Sequence, residues 1–280
     1  FHNTPAFIGL AGVVGDAIID RLKAALPFQT MHVADDRPAA VRGALGTANG
    51  VVAHCGTGSF LAAQNCGKMR FVGGWGPVLG DEASAQWVGR QALHIALECE
   101  DGLKDHSDLT HQLLSAYGGA AGLVQFASTA SPTEFGAIAP EVTQFAKSAD
   151  VWAMHVMQTG ADYIAFTLSS LGWTPDQTLC LTGGIGAEFL PFLPTDMQTA
   201  YKPPVGTPLA GAVSLARDFA RELCLLITNT TQCPATLPTC PPKSFTSRLP
   251  STRCFPPVTL PFHPPPLLPL PLTPLFLPPS

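Results

Sequence analysis

The chain carries the sequence GGWGPVLGDEAS at residues 73–84, and this stretch decides the fold. Its four glycines surround one tryptophan, Trp75, and they let the backbone approach a ligand closely or adopt positive φ angles. The acidic pair Asp81 and Glu82 follows, and a helical pattern begins near Ser84, where acids are favoured by the positive end of a helix. Such a turn suits a polar, hydroxyl-rich ligand, but an ordinary tight turn with a capping aspartate is an equally good interpretation.

The composition argues against several classes of protein. The 280 residues are enough for one large domain or two lobes, the net charge is −5, and only 12% of the residues are charged. No basic face favours a nucleic-acid partner, and no apolar run without proline is long enough to predict a membrane partner. The eight cysteines form no C-x-x-C pair, which argues against a zinc site and favours free buried thiols in a cytoplasmic protein.

The pattern of apolar residues predicts a mixed α/β chain. The predicted elements before the glycine-rich stretch are strand 7–12, helix 16–26, strand 28–33, helix 39–45 and strands 50–54, 60–64 and 69–72. The first four predict a lobe with at least partly parallel strands, and the last three an antiparallel meander. After Ser84 the pattern is mostly helical. It is interrupted by a strand at 178–182, and it ends with a helix at 208–223.

The composition changes after Glu222, the last acidic residue in the chain. From Cys224 onward proline, leucine, threonine and cysteine dominate, and so much proline blocks both helix and sheet. We expect residues 224–280 to be disordered or to form polyproline II helix. A P-x-x-P ligand is one interpretation of this tail, and a non-native terminus, such as translation in a shifted frame, is the interpretation we favour.

Two further glycine turns could bind a ligand. Gly56-Thr57-Gly58-Ser59 lies between two predicted strands, where backbone N–H groups and two hydroxyls could cradle a phosphate. The alternative is a plain hairpin turn. Gly183 and Gly184 end the strand at 178–182, where a flat ligand could lie against the backbone, although many strand-to-helix turns use glycine.

Two acids end the second predicted strand. A carboxylate at the C-terminal end of a strand is well placed for general-base chemistry, whereas an aspartate before a helix also serves as a cap. We therefore predict that Asp36 is the base and that Asp35 is a cap or a solvent-exposed charge. Trp75 could stack on a sugar or fill the core beside its turn. The histidines show no metal-ligand spacing, and we interpret them as structural or surface residues.

Taken in this order, these turns resemble the sugar kinases of the actin-like ATPase superfamily, and in particular the N-acetylglucosamine and glucosamine kinases of the BadF/BadG/BcrA/BcrD group. The resemblance runs from about residue 8 to about residue 219, and its specific part is GGWGPVLGDEAS followed by WVGRQAL, residues 73–93. It implies an α/β fold of the actin-like (ribonuclease H-like) ATPase type with two lobes. The implied domains are residues 1–45 as the rest of an incomplete first lobe, 46–223 as the ATPase and sugar-kinase lobe, and 224–280 as the disordered tail.

The resemblance also implies a function and a role for each turn. The activity would be ATP-dependent phosphorylation of N-acetylglucosamine or glucosamine at the 6-hydroxyl, with ATP and Mg²⁺ as cofactors and no protein residue assigned as a metal ligand. Asp36 would be the catalytic base, and Asp81 with Gly80 would bind the sugar. The nucleotide-binding residues would be Gly56, Thr57, Gly58, Ser59, Gly74, Trp75, Gly76, Gly183 and Gly184. Gly211 and Ala212 match a glycine–alanine step in the closing helix, and a homodimer is left open.

One departure from the family pattern affects the expected activity. The family's first phosphate-binding hairpin, D-G-G-G-T-x-x, is absent from this sequence. We therefore expect the chain to begin partway through the first lobe and its activity to be impaired. Three alternatives remain open: a kinase for another sugar, an ATP-hydrolysing dehydratase activator with Cys55 as a cluster ligand, and a sugar-binding regulator without catalysis.

Overall fold

The computed structural model describes residues 4–13 and 15–231, and in the last helix it describes side chains only as far as residue 225. The first part contains β1 (Ala6–Gly9), α1 (Asp16–Ala25), β2 (Met31–Ala34), α2 (Arg37–Leu45), β3 (Gly50–Cys55), β4 (Ser59–Asn65) and β5 (Lys68–Gly73). The second part contains α3 (Ala85–Glu100), α4 (Asp108–Tyr117), α5 (Gly119–Thr129), α6 (Pro132–Gly136), α7 (Ala139–Lys147), α8 (Val151–Ser170), β6 (Thr178–Thr182), a 3₁₀ helix (Gly186–Phe192), α9 (Thr195–Ala200) and α10 (Pro208–Thr231). Strands and helices therefore occur in the mixed order that the sequence predicted.

The first strands form a small parallel sheet. β1 pairs with β2 in parallel, with Ile8 opposite Val33, and α1 makes the connection between them. A helical crossover is the usual link between parallel strands. The predicted β-α-β-α order is thus confirmed, but β1 ends at Gly9, earlier than expected, and its residues are only half-buried.

A four-stranded sheet in the order β5-β4-β3-β6 forms the centre of the described residues. β3, β4 and β5 are antiparallel neighbours, as predicted, and β6 pairs with β3 in parallel, with His54 opposite Thr182. Because β3 and β6 are parallel and in register, they end at the same edge of the sheet. This register brings the turn after Cys55 next to the turn after Thr182.

Successive side chains along each strand point to opposite faces of this sheet. Both faces carry apolar side chains, and helices cover each of them. Val51, Leu61 and Leu181 point to one face and pack in the main core, which also contains buried residues of α3 and α8. Val52 and Cys180 point to the other face, where they form a second cluster with residues of α2. The result is a three-layer arrangement around one sheet.

Three helices differ from the predictions. Helices α5 and α9 were not predicted, and α5 begins directly after Gly118, whose left-handed conformation ends α4. Helix α10 continues to Thr231 instead of ending at Leu223. The rest of the predicted tail, residues 232–280, lies outside the described residues. The proposed lobe boundary after residue 45 stays a prediction, and no helix within the described residues combines the length and apolar character needed to cross a bilayer.

Gly211 lets α10 pack closely on α2. A Cβ atom at Gly211 would lie 2.0 Å from the carbonyl oxygen of Ala39 and 2.5 Å from the backbone nitrogen of Gly43. On the same helix pair, the buried Arg42 guanidinium donates to Asp218 Oδ2 over 2.6 Å. The glycine of the predicted glycine–alanine step is thus a packing residue.

The substitution Gly211→Ala should therefore destabilise the fold, even though alanine is the better helix former. We expect a loss of about 1–3 kcal/mol from the forced separation of the two helices. Urea denaturation of the two proteins measures this difference. Gly206→Ala is the matched control, because a Cβ there meets no atom closer than 3.4 Å; equal stabilities for the two variants would contradict this account of the packing.

Candidate active site

The turn after β3 presents open backbone donors. Gly56 N–H donates to the Gly58 carbonyl over 2.9 Å, and Gly56 accepts from Ala85 N–H at the start of α3 over 2.8 Å. Within the described residues, the N–H groups of Thr57 and Gly58 donate no hydrogen bond. Free N–H groups in a glycine turn next to a helix N-terminus form a suitable cradle for an anion.

The turn after β6 packs directly on this first turn. Gly183 has φ +83°, and a Cβ atom on it would lie 2.2 Å from the carbonyl oxygen of Cys55. Ile185 N–H donates to the same carbonyl over 3.1 Å. Gly184, by contrast, has no atom within 4 Å of the place where its Cβ would stand. The two glycine turns therefore form one unit, with Gly183 as the contact and Gly184 as an open surface.

A cavity of about 520 Å³ lies against these two turns. Gly56, Thr57 and Gly184 form one part of its wall. The rest of the lining comes from the start of α3, from α6 and α7 and from the 3₁₀ helix: Ala85, Gly136, Ala139, Pro140, Thr143, Ile185 and Glu188. A volume of this size is typical of a small-molecule site.

A second cavity of about 360 Å³ lies against the second half of the first turn. Gly58 and Ser59 line it, and so do both predicted acids, Asp36 and Asp81. The other lining residues are Ala11, Gly12, Val13, Asp35, Arg37, His54, Phe60, Gly74 and Gly76. The short turn 56–59 thus contributes residues to both cavities.

Asp81 is held rigidly at the second cavity. It has φ +61° and is only 6% exposed, and its Oδ1 accepts from Gly76 N–H over 3.2 Å. Its Oδ2 lies so close to Gly58 that a Cβ on that glycine would stand 2.7 Å away. Gly80 supports the same loop by donating to the Gly76 carbonyl over 3.0 Å, but it does not line the cavity. Asp81 therefore lies at the cavity, whereas Gly80 stabilises the loop that carries it.

The two adjacent aspartates have different partners. Asp35 accepts from the Arg37 backbone N–H over 2.9 Å, and it pairs with the guanidinium of that residue through both oxygens over 3.0 Å. Burial acts to raise the pKa of Asp35, but the Arg37 hydrogen bonds and charge outweigh it and leave the pKa below its usual value. Asp36 occupies the N-cap position of α2, yet its side chain makes no hydrogen bond within the described residues. Asp36 is therefore the free carboxylate of the pair.

The glycine-rich stretch lies at the second cavity, and its predicted contact with the nucleotide stays a prediction. Gly74 and Gly76 line the cavity that contains Asp36 and Asp81, not the one next to Gly184. Trp75 is 76% exposed and lines neither cavity, so the interpretation of this residue as a core plug is wrong. The reason is the positive φ of both flanking glycines, which turns the backbone and points the indole outward.

Two polar side chains of the second cavity, those of His54 and Arg37, were not among the predicted site residues. His54 bonds to Thr182 Oγ1 through Nδ1 over 3.0 Å and stacks on Phe60 with ring centroids 5.0 Å apart. The Arg37 guanidinium lies 5.0 Å from the centre of the Phe71 ring. The place of His54 depends on the register between β3 and β6, which no local pattern reveals.

His54 should make the fold sensitive to acid. Burial lowers the pKa of His54, and the nearby Asp36 opposes this only in part. From pH 6.5 downward the unfolded chain takes up a proton at this position that the folded chain resists, so stability falls with pH until the folded pKa is reached. We expect His54→Gln to lose less stability than the wild type between pH 7.5 and pH 5.5 in urea denaturation. Equal losses in the two proteins would contradict this.

Cys55 is unsuited to hold a metal cluster. It is fully buried under the turn, and burial raises the pKa of its thiol to about 12. A cluster ligand must be a thiolate that the cluster can reach. Within the described residues, moreover, no three histidine, cysteine or acidic side chains are grouped to hold a metal ion.

Comparison with known proteins agrees with this architecture. The chain is 24% identical over 196 residues to the glucosamine kinase GspK of Vibrio cholerae, a match that covers 70% of this chain and 67% of that protein. The crystal structure of a putative N-acetylglucosamine kinase from Chromobacterium violaceum matches 75% of each chain with a TM-score of 0.68 and 28% identity. A second putative N-acetylglucosamine kinase, from Porphyromonas gingivalis, matches 76% of this chain and 77% of its own with a TM-score of 0.58 and 18% identity, and it shows the fold alone.

The expected fold class, α/β of the actin-like ATPase type, is confirmed by these similarities. The family model described as the BadF/BadG/BcrA/BcrD ATPase family matches residues 5–194, well over half of the chain. The chain belongs to the BadF/BadG/BcrA/BcrD ATPase family.

Proposed function

We propose that this protein phosphorylates an amino sugar, glucosamine or N-acetylglucosamine, at the 6-hydroxyl and uses ATP as the phosphoryl donor. The observation that carries the proposal is that the turn 56–59 lines two cavities, one with Gly56 and Thr57 and the other with Gly58 and Ser59. A phosphoryl group held at this turn would have its donor in one cavity and its acceptor in the other. The similarity to a glucosamine kinase and to a putative N-acetylglucosamine kinase supports the choice of sugar.

The larger cavity fits ATP. The free N–H groups of Thr57 and Gly58 suit phosphate oxygens. Beyond them, Ala139, Pro140 and Ile185 provide an apolar wall against which a flat base can lie. Gly184 leaves this space open because it has no side chain, so both predicted turns serve the nucleotide in this proposal.

The described residues fit Mg²⁺ only as an ion held mainly by the nucleotide. Mg²⁺ keeps several waters and usually binds one or two carboxylates together with substrate phosphates. Asp36 and Asp81 are the carboxylates at the turn that are not already paired with a cation, and either could supply such a contact. When bound, Mg²⁺ neutralises the charge of the phosphates, and ATP supplies the phosphoryl group.

Asp36 is suited to be the base because its carboxylate has no other hydrogen-bond partner in the described residues. With a sugar in the smaller cavity, Asp36 takes the proton of the 6-hydroxyl as that oxygen forms its bond to the γ-phosphorus. The bond from phosphorus to the bridging oxygen breaks, and its electron pair leaves with ADP. The protein forms no covalent bond in this reaction, and its main contribution is to position the two substrates.

Asp81 is suited to bind sugar hydroxyls. Its carboxylate is buried at the cavity wall and its Oδ1 already accepts one backbone hydrogen bond, so its position is set before the ligand arrives. Hydrogen bonds from neutral hydroxyls to a carboxylate are each worth about 1.5–3 kcal/mol. In this proposal Asp81 therefore binds the sugar, while Asp36 removes the proton from its 6-hydroxyl.

Calorimetric titration of the sugar tests the assignment of Asp81. The substitution Asp81→Asn keeps the shape of the side chain and tolerates the positive φ, and it should weaken the binding of glucosamine or N-acetylglucosamine about 10- to 100-fold. The affinity for ADP should change little. Glu82→Gln is the matched control, because Glu82 is the adjacent carboxylate and lines neither of the two cavities. Unchanged sugar affinity in Asp81→Asn would contradict the proposed sugar site.

The buried Cys55 disfavours the dehydratase activator, and no feature of the described residues favours a regulator without catalysis. A small-molecule sugar as substrate and a cytoplasmic location agree with the use of ATP and with the reduced, buried thiols of Cys55, Cys99 and Cys180. The location and a homodimer stay predictions.

A further inference from the structure

The larger cavity has one charged side chain in its lining, that of Glu188. Glu188 lies in the first turn of the 3₁₀ helix that follows the turn at Gly184, and its N–H donates to the Ile185 carbonyl over 3.0 Å. The other lining residues are glycine, alanine, proline, isoleucine and two threonines. A single carboxylate in an otherwise uncharged wall is well placed to contact a polar group of the ligand.

Lys147 fixes one oxygen of this carboxylate and leaves the other free. Lys147 Nζ, from the last turn of α7, lies 2.8 Å from Glu188 Oε2. Within the described residues, Oε1 accepts no hydrogen bond, and the side chain is 34% exposed. The ion pair therefore engages one oxygen of Glu188, and the other oxygen of this cavity-lining carboxylate has no partner within the described residues.

Thr143 adds a second acceptor to the same wall. Its hydroxyl donates to the Pro140 carbonyl over 2.8 Å, so the proton is already used and only the lone pairs remain for a ligand. This wall thus offers acceptors, whereas the turn at Thr57 offers free N–H donors. A ligand that fits both has anionic oxygens at one end and hydroxyl groups further along, as a ribonucleotide does.

We propose that Glu188, held by Lys147, selects ribonucleotides by accepting a hydrogen bond from the 2′- or 3′-hydroxyl of the ribose. This inference rests on the nucleotide site of the proposed function but not on its sugar. The charge of Glu188 also repels phosphate, so the same residue keeps the phosphate groups at the glycine turn. The base, on the far side of the ribose from the phosphates, then lies against the apolar lining residues Ala139, Pro140 and Ile185.

Calorimetric titrations with ADP, 2′-deoxy-ADP and 3′-deoxy-ADP in the presence of Mg²⁺ test the proposal. A hydrogen bond to a carboxylate is worth about 1.5–3 kcal/mol, so the wild type should bind ADP about 10- to 150-fold more tightly than at least one of the deoxynucleotides. Glu188→Gln keeps the shape of the side chain and should reduce that ratio about 5- to 10-fold relative to the wild type, because neutral hydrogen bonds are worth roughly half as much or less. Lys147→Met should also lower the ratio by freeing the carboxylate to rotate. Asp162→Asn, which removes an exposed carboxylate from α8, is the control and should leave the ratio unchanged.

Two outcomes would overturn the inference while leaving the proposed function intact. One is wild-type binding of ADP and both deoxynucleotides with equal affinity. The other is an unchanged ratio in Glu188→Gln together with an altered preference between ADP and inosine diphosphate, which would place the carboxylate at the base. If the wild type binds no ADP at all, the proposed function fails, and this inference fails with it.

Discussion

Replacing Asp36 with asparagine should lower kcat for sugar phosphorylation about 10²- to 10⁴-fold, the usual contribution of a general base. Asparagine has the same shape and the Asp36 side chain holds no structural hydrogen bond, so the fold and the sugar affinity should be retained. Coupled detection of ADP gives kcat, and calorimetry gives the sugar affinity. The prediction concerns the ratio between variant and wild type, so it holds whatever the absolute rate of this chain.

The control for this experiment is Asp176→Asn. Asp176 precedes β6 and is exposed, and because the site lies where β6 ends, this substitution should leave kcat unchanged. A kcat for Asp36→Asn within threefold of the wild type would contradict the role of Asp36. A loss of sugar affinity with kcat unchanged would instead make Asp36 a binding residue.

Gly183→Ala should both destabilise the fold and abolish nucleotide binding. The new Cβ would stand 2.2 Å from the Cys55 carbonyl oxygen at a backbone φ of +83°, so the turns after β3 and β6 must separate. Overpacking of this kind together with a left-handed alanine costs about 2–5 kcal/mol. Urea denaturation and ADP titration measure the two effects.

The neighbouring Gly184 provides the matched control. A Cβ there meets no protein atom within 4 Å, so Gly184→Ala should keep its stability close to the wild type. The methyl group enters the larger cavity, however, and we expect it to weaken ADP binding. Equal stabilities of Gly183→Ala and Gly184→Ala would contradict the inference that the two turns pack closely at Gly183.

The sequence predicted the parts of the site that depend on local patterns. The glycine turns, the acid before α2 and the carboxylate after Gly80 are visible because special backbone conformations need glycine and because a polar residue at the end of a strand is unusual. The different environments of Asp35 and Asp36 also have a local cause. Arg37 is two residues after Asp35 and forms an ion pair with it, which leaves Asp36 without a partner.

The parts that were missed depend on which strands pair and on how loops turn. The contact of His54 with Thr182 joins residues that are 128 positions apart, and it exists only in the observed β3–β6 register. The outward position of Trp75 follows from the φ angles of its neighbours, whereas composition alone suggested a stacked or buried ring. Likewise, Glu188 belongs to none of the sequence motifs, and it lies in a cavity wall only because it follows the turn at Gly184.

The most direct test of the account is phosphorus NMR of the chain incubated with Mg²⁺, ATP and glucosamine or N-acetylglucosamine. The account predicts a sugar monophosphate whose phosphorus couples to the two protons on C6, formed as ATP is consumed and formed far more slowly by Asp36→Asn. Conversion of ATP only to inorganic phosphate, at the same rate with and without sugar and in both proteins, would contradict it.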